Sequence, residues 1–258
     1  MKNKNPQISI VIPVYNGEKF LDENISSVLN QTFKDFELII INDKSTDKTL
    51  EIIQKYAKKD ERIIVLNNKK NRGAQYTRNR GLKRSKGKYM AAFDADDVCL
   101  PKRFEIQFNY LEKHPEIFMV GGSAIIIDEK GNRLGVFLKY ENDRKIEKKL
   151  PKVNCILHPT VMHRNTKEFF YRERFPISED YDLLLNILSA KKKIVNIPTF
   201  LIKYRINQSS NTFTKNDPGY FYQKAKELYY QRIKTGKEDY ENLMPLKEKV
   251  PVNPKNLV

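Results

Sequence analysis

The chain predicts an α/β protein built on a doubly wound, mostly parallel sheet with helices on both faces, followed by a short helical C-terminal extension. Apolar runs rich in Ile and Val alternate with stretches whose apolar residues recur at helical spacing, which is the pattern of successive βαβ units. Cap and turn residues fall between the two kinds of segment. An acidic cluster closes the fourth run, and open α/β sheets bind ligands beyond the carboxyl ends of their strands.

The first half supplies the alternation. Ile8-Ser9-Ile10-Val11-Ile12 reads as a buried strand, and Phe20, Leu21, Ile25, Val28 and Leu29 then recur at helical spacing. Residues 36–41 form a second strand, after which Ser45, Thr46 and Asp47 offer N-caps for a helix carrying Leu50, Ile52, Ile53 and Tyr56. A third strand over 63–66, a helix over 74–85 and a fourth strand over 89–93 complete a βαβαβαβ order.

Beyond Pro101 the pattern changes. A helix with Phe104, Phe108 and Leu111 leads into the apolar stretch 118–127. Asp128-Glu129-Lys130-Gly131-Asn132 is a turn signal before 134–138, so the spacing predicts a hairpin. Leu183, Leu184, Ile187 and Leu188 mark a buried helix, and two short apolar runs follow near 194–197 and 201–205. From about Asn216 the chain turns polar and Tyr-rich, with one amphipathic helix over 220–233 and a loosely held tail from Pro245. The expected organisation is one domain over 1–215 and an extension over 216–258.

Composition narrows the partners. With 48 Lys and Arg against 32 Asp and Glu, the formal charge of +16 favours anionic partners: nucleic acid, acidic headgroups or phosphorylated ligands. A coding bias toward Lys on a solvated surface would give the same surplus. The basic residues are scattered, and neither zinc-finger spacing nor an RNP-like motif is present, so no specific nucleic-acid binding is expected. Cys99 and Cys155 lie far apart without metal-ligand spacing. Met1 to Pro6 lack an apolar signal region, and no run approaches the ~20 apolar residues of a membrane span. The expected setting is cytoplasmic, with peripheral contact at the inner membrane face as the only membrane role.

The chemistry concentrates in Tyr89-Met90-Ala91-Ala92-Phe93-Asp94-Ala95-Asp96-Asp97. Three carboxylates within four residues repel one another unless a cation sits on them, and hard oxygen ligands suit Mg²⁺ or Mn²⁺. Magnesium takes one or two protein carboxylates and completes its shell with substrate phosphates. The competing reading is an acidic loop in which Asp96 or Asp97 caps the next helix, with Pro101 at its start. Four more segments fall at strand ends or loops: Pro13-Val14-Tyr15-Asn16; Asn42-Asp43-Lys44-Ser45-Thr46-Asp47; Asn71-Arg72-Gly73-Ala74-Gln75-Tyr76-Thr77-Arg78-Asn79-Arg80-Gly81, which opens the helix before the fourth strand; and Ser178-Glu179-Asp180-Tyr181-Asp182 before the Leu-rich helix.

In this order and spacing the chain resembles the family 2 nucleotide-sugar glycosyltransferases of GT-A fold, over about residues 8–210. Residues 8–16 resemble the family's N-terminal signature and Asn42–Asp47 its D-D-G-S-T-D element, with Asn42 for an Asp and Lys44 for the Gly. Thr77–Leu82 resembles its A-r-N-r-G-l helix, Asp94-Ala95-Asp96 its D-x-D, Leu157-His158-Pro159-Thr160-Val161-Met162 its h-P-t-v-m segment and Glu179-Asp180 its E-D motif. The Q-x-x-R-W element of processive synthases is missing, so single addition is expected.

The resemblance implies roles. Asp43 would accept the uracil N3–H of a UDP-sugar, with Pro13, Val14, Tyr15 and Asn16 against base and ribose. Asp94, Ala95 and Asp96 would hold ribose and Mn²⁺ or Mg²⁺, with Asp97 and His158 as further metal candidates. Arg78 could fork onto the diphosphate, and Arg205, taken as a residue of a late loop, could close over the donor. Asp180 would be the general base of an inverting transfer to a glycan or lipid-linked hydroxyl, and Glu179 could orient that acceptor. Residues 1–100 would then form the nucleotide-sugar-binding half and 101–215 the acceptor-binding half. A nucleotidyltransferase is the nearest enzymatic alternative, and a basic nucleic-acid or membrane-binding protein explains the charge but not the carboxylates.

Overall fold

The computed structural model describes residues 5–139, 141–207 and 219–240. Strands β1 (Ile8–Val14), β2 (Phe36–Asn42), β3 (Ile63–Asn67) and β4 (Tyr89–Ala92) alternate with helices α1 (Leu21–Leu29), α2 (Thr49–Ala57) and α3 (Ala74–Arg84). Then come β5 (Val98–Cys99), α4 (Arg103–Lys113), β6 (Ile117–Ile127), β7 (Arg133–Phe137) and α5 (Asp143–Lys149). A 3₁₀ turn (His158–Thr160), β8 (Met162–Arg164), α6 (Glu179–Ser189), β9 (Lys193–Arg205) and α7 (Tyr220–Thr235) complete the described chain. Residues 208–210 at the end of the family resemblance, the 215/216 boundary and the tail from 245 lie outside the described residues.

One sheet runs in the order β3-β2-β1-β4-β8-β6-β9-β5, with β7 paired to β6 as the expected hairpin. The first four strands are parallel, and the winding reverses between β1 and β4. Their carboxyl ends therefore form a topological switch point, the crevice where such sheets receive ligands. The strands here are continuous apolar runs because both faces are covered. Ile8, Ile10, Ile12, Leu38 and Ile40 face one core with α1 and α4, while Val11, Ile39 and Ile41 face the other with α3 and α6.

Besides β5 and α5, which the sequence pattern does not announce, three features differ from expectation. Segment 162–164 is a strand, inserted antiparallel between β4 and β6, which brings the preceding 3₁₀ turn to the end of β4. The two apolar runs 194–197 and 201–205 are one long strand, β9, parallel to β6 with several register shifts. Neither Asp96 nor Asp97 caps a helix: α4 starts at Arg103, with Lys102 at its N-cap and no side-chain cap bond.

Candidate active site

Two loops form the floor of the crevice by bonding to each other. Asn16, in the left-handed region at φ 50°, donates its backbone N–H to Ser45 Oγ at 3.0 Å and accepts the Thr46 N–H on Oδ1 at 2.9 Å. Gly17 N–H reaches Thr49 Oγ1 at 2.8 Å, and Asp47 accepts the N–H groups of Glu18 and Thr49. Pro13, Val14 and Tyr15 lead into this knot, and Tyr15 projects into solvent at 51 % exposure. Lys44 also lies in the left-handed region, at φ 62°. That conformation is why glycine suits this position in the related element.

Asp43 is buried at the end of β2. Its Oδ1 accepts from the Asn68 amide at 2.5 Å and the Arg72 N–H at 2.9 Å, and its Oδ2 accepts from the Gly73 N–H at 2.8 Å. Three of about four acceptor positions are thus engaged by the loop entering α3, leaving one on Oδ2.

Helix α3 lies close on the sheet because residue 81 is glycine; a Cβ there would strike Val11 and Ile41. The same helix carries Arg78, whose side chain is only 11 % exposed and whose guanidinium joins two motifs. It donates to Asp94 Oδ1 and to Glu179 Oε1, both at 2.8 Å. Its Nε is buried without a partner, and its charge lies 5.5 Å from the Tyr171 ring centroid. Burial alone would ease the proton off, but the Asp94 and Glu179 carboxylates outweigh it and hold the guanidinium firmly charged.

The turn over 94–97 is built from its main chain outward. Asn24, fully buried on α1, donates its amide to the carbonyls of Asp94 and Asp97, both at 2.8 Å. Arg103, also buried, donates to Ala92 O at 2.9 Å just ahead of the turn. Burial would raise the Asp94 carboxyl, yet Arg78 outweighs it and keeps that group below the ordinary carboxylate range. Asp96 goes the other way: burial, reinforced by the Asp94 charge, pushes it up to about 6, although Asn207 donates its amide to Oδ2 at 2.6 Å. Ala95 is partly buried between them. Asp97 is fully buried; its Oδ1 accepts the Arg205 N–H at 2.8 Å and its Oδ2 has no partner. Burial, then the charges of Asp96 and Asp94, raise its carboxyl well above the usual value.

Arg205 requires a correction. It is the last residue of β9, not a loop residue, and its side chain is 2 % exposed. Its guanidinium donates to Asp96 O, to the carbonyls of Asp128 and Glu129 and to Glu23 Oε2, while stacking over Phe20 at 4.5 Å. With those bonds in place it clamps the acidic turn to the β6–β7 turn and α1, and has no freedom to swing over a ligand. A cavity of about 520 Å³ opens beside this clamp, lined by Asp128, Asn132, Leu134, Ile206 and Asn207 among others.

His158 is buried in the 3₁₀ turn, and its Nε2 shares a 2.7 Å hydrogen bond with the Tyr171 hydroxyl. Burial, followed by the Arg78 charge, lowers its pKa to about 3, so the ring is neutral at physiological pH. Among the described residues no group of three or more His, Cys, Asp and Glu is arranged to hold a metal ion by itself.

Asp180 stands in the first turn of α6, after Ser178 in the left-handed region at φ 59°. The Asn154 amide donates to its Oδ2 at 3.4 Å. Burial, then the neighbouring Glu179 charge, pushes its carboxyl up to about 6. Arg78 spans Asp94 and Glu179, so the two acidic motifs, some 85 residues apart in sequence, face each other across the width of one guanidinium.

Sequence reasoning missed Asn24, Asn154, Tyr171 and Asn207. Asn24 had a signal, a lone amide on the apolar face shared with Leu21, Ile25 and Val28. The other three lie in segments without periodicity. No helix among the described residues is long and apolar enough to cross a membrane.

Known proteins resemble this chain in sequence and in fold. The sequence model of Glycosyl transferase family 2 matches residues 9–170, more than half of the chain. An uncharacterized glycosyltransferase from Methanocaldococcus jannaschii is 38 % identical over 237 residues, covering 89 % of this chain and 79 % of that protein. The O-antigen biosynthesis glycosyltransferase WbnJ of Escherichia coli is 35 % identical over 210 residues, covering 79 % and 81 %. The crystal structure of S. aureus TarS 1–349 in complex with UDP-GlcNAc superposes with a TM-score of 0.72 at 20 % identity, covering 87 % of this chain and 66 % of that one. The likeness to TarS establishes the GT-A fold alone, whereas the sequence matches reach further: the chain is a glycosyltransferase and belongs to glycosyl transferase family 2.

Proposed function

We propose that this glycosyltransferase moves a sugar from a nucleotide-sugar, a UDP-sugar in the first instance, to a hydroxyl of a glycan or lipid-linked acceptor with inversion at the anomeric carbon. The observation that carries the reading is the Arg78 fork, which joins the acidic turn at Asp94 to the Glu179-Asp180 turn at 2.8 Å on each side. A donor held at the first turn would present its anomeric carbon toward the second.

In this reading Asp43 accepts the uracil N3–H on the acceptor position left at Oδ2, and the loop over 13–16 packs against base and ribose. Asp180 takes the proton from the attacking hydroxyl; a carboxyl near 6 is ionised at neutral pH yet basic enough to serve. Glu179, tied to Arg78, fixes the start of α6. One attack from the face opposite the diphosphate inverts the centre.

The residues fit a divalent cation. Asp94 and Asp96 offer partly exposed carboxylates whose mutual repulsion raises Asp96, a combination that suits Mg²⁺ or Mn²⁺ with substrate phosphates filling the shell. When bound, the ion would neutralise charge on the departing nucleoside diphosphate. Asp97, buried beneath the turn, and His158, engaged by Tyr171, stand behind these two as orienting groups. The part of WbnJ in O-antigen biosynthesis supports an acceptor in surface-polysaccharide assembly, with the +16 charge suited to an anionic membrane face.

Calorimetric titration with UDP tests the donor site. The expected result is binding in Mn²⁺ or Mg²⁺ that is lost in chelator; equal affinity in both would overturn the metal-dependent reading.

A further inference from the structure

Asp180 is tied to the C-terminal helix through a short chain of contacts. Asn154, on the loop between α5 and the 3₁₀ turn, donates its side-chain amide to Asp180 Oδ2 at 3.4 Å, the long end of hydrogen-bond range. The loop itself orients that amide. Asn154 Oδ1 accepts the Ile156 N–H at 3.1 Å, so the NH₂ end must face Asp180. The Asn154 backbone N–H is donated in turn to the Tyr222 hydroxyl at 2.8 Å.

Tyr222 belongs to the first turn of α7, and its ring stacks on Tyr181 with centroids 4.3 Å apart and planes 13° from parallel. Tyr181 follows Asp180 directly and donates its hydroxyl to Leu150 O at 2.7 Å. Phe221, Ala225 and Leu228 seat α7 in the same core as α6. At the other end of α6, Arg232 of α7 donates to Ser189 Oγ at 2.9 Å. Helix α7 thus grips α6 at both ends.

Resting on the proposed role of Asp180, we infer that Asn154 is a positioning residue for that base, and that Tyr222 of the C-terminal helix holds Asn154 in place to do it. The Asn154 amide on Oδ2, together with a backbone hydrogen bond from Tyr181, holds the carboxylate in one orientation and leaves further acceptor positions for an acceptor hydroxyl. Asn154 moves no proton itself. It favours the ionised carboxylate, because a donor hydrogen bond to the charged form stabilises it. The other groups facing Asp180 are Glu179 on its own turn, Arg78 from α3, Asp94 beyond β4, Tyr171 from the loop before α6 and Tyr204 from β9. Unlike these, Asn154 is uncharged and does not titrate, so its removal alters orientation without altering net charge.

The test is the titration of the Asp180 carboxyl by ¹³C NMR on the full chain, its resonance assigned by loss in Asp180→Asn. Asn154→Ala is expected to raise the midpoint by roughly 0.5–1 unit, the worth of one hydrogen bond. Tyr222→Phe, which deletes one oxygen and keeps the ring stack, should move it the same way by less, and Asn154→Ser should restore part of the shift. An unmoved midpoint in folded Asn154→Ala overturns the inference. Should that variant fail to fold, an unmoved midpoint in Tyr222→Phe does so instead. The base reading fails separately, if Asp180→Asn hydrolyses UDP-GlcNAc in Mn²⁺ at the unsubstituted rate whatever the midpoints show.

Discussion

Two acidic turns meet in this crevice, and they are held in different ways. The turn over 94–97 is gripped chiefly through its main chain, Asn24 taking two of its carbonyls and Arg205 a third, while its carboxylates accept one bond each from Arg78, Asn207 and the Arg205 N–H. The Glu179-Asp180 turn is gripped through side-chain carboxylates, one by Arg78 and one by Asn154. Main-chain anchoring fixes where that turn lies independently of its carboxylates, each of which accepts a single bond and keeps further acceptor positions. Side-chain anchoring fixes which way a carboxylate points and tunes its proton affinity, at the risk that one substitution releases it.

The largest expected effect is on the second turn. Asp180→Asn keeps UDP affinity but lowers transfer by roughly 10²–10⁴-fold, the worth of a general base; full activity would remove Asp180 from the mechanism. The same carboxyl gives the pH dependence. It must be ionised to accept a proton, so the rate should hold above about pH 6 and fall progressively as pH drops through that value. A rate that rises on acidification would contradict it.

Arg78→Met strikes the contact between the turns. It leaves the partly buried Asp94 and Glu179 carboxylates without their shared cation, and should lower stability by roughly 2–4 kcal/mol in urea unfolding, part of the usual penalty being relieved by the exposure of Asp94. A loss under ~1 kcal/mol would show that the fork is a surface pair of small worth.

Backbone strain in the floor predicts a smaller gain. Lys44→Gly should stabilise the chain by roughly 0.5–1 kcal/mol, because a Cβ is disfavoured at its φ of 62°. No change, or a loss, would mean that unfolded-state entropy cancels the relief. The smallest effect is expected at Asp97, whose raised carboxyl lies beneath the turn. Asp97→Asn keeps an acceptor for the Arg205 N–H and should leave metal-dependent UDP binding unchanged; its collapse would make Asp97 a metal ligand.

The parallel half was legible because central strands are continuous apolar runs bounded by caps, and β1 to β4 begin and end within a residue or two of expectation. The antiparallel insertions were not. β8 and β5 are three and two residues long, too short to show a period. β9 looked like two strands because Pro198, exposed in its middle, and the polar Thr199 interrupt an apolar pattern that spans a bulge. α5 has a single buried apolar residue, Ile146, so no stripe announced it.

At the site, the carboxylates could be read because like charges crowded at a strand end need a reason that the local sequence does not supply. Arg78 stood out as a motif residue, yet its two partners lie 16 and 101 positions away. Arg205 was misread because a cation near an acidic cluster looks the same in sequence whether it faces solvent or lies beneath the turn.

Local chemistry alone determined the alternating α/β order, the family resemblance and the aspartates on which the proposal rests, since hydrophobic period, caps and charge crowding are properties of neighbours in the chain. Packing alone decided that the two acidic turns face each other, that Arg205 is a clamp, and that a C-terminal tyrosine reaches the loop beside Asp180. Those outcomes depend on contacts between residues tens to more than a hundred positions apart, and such contacts exist only once the strand order brings them together.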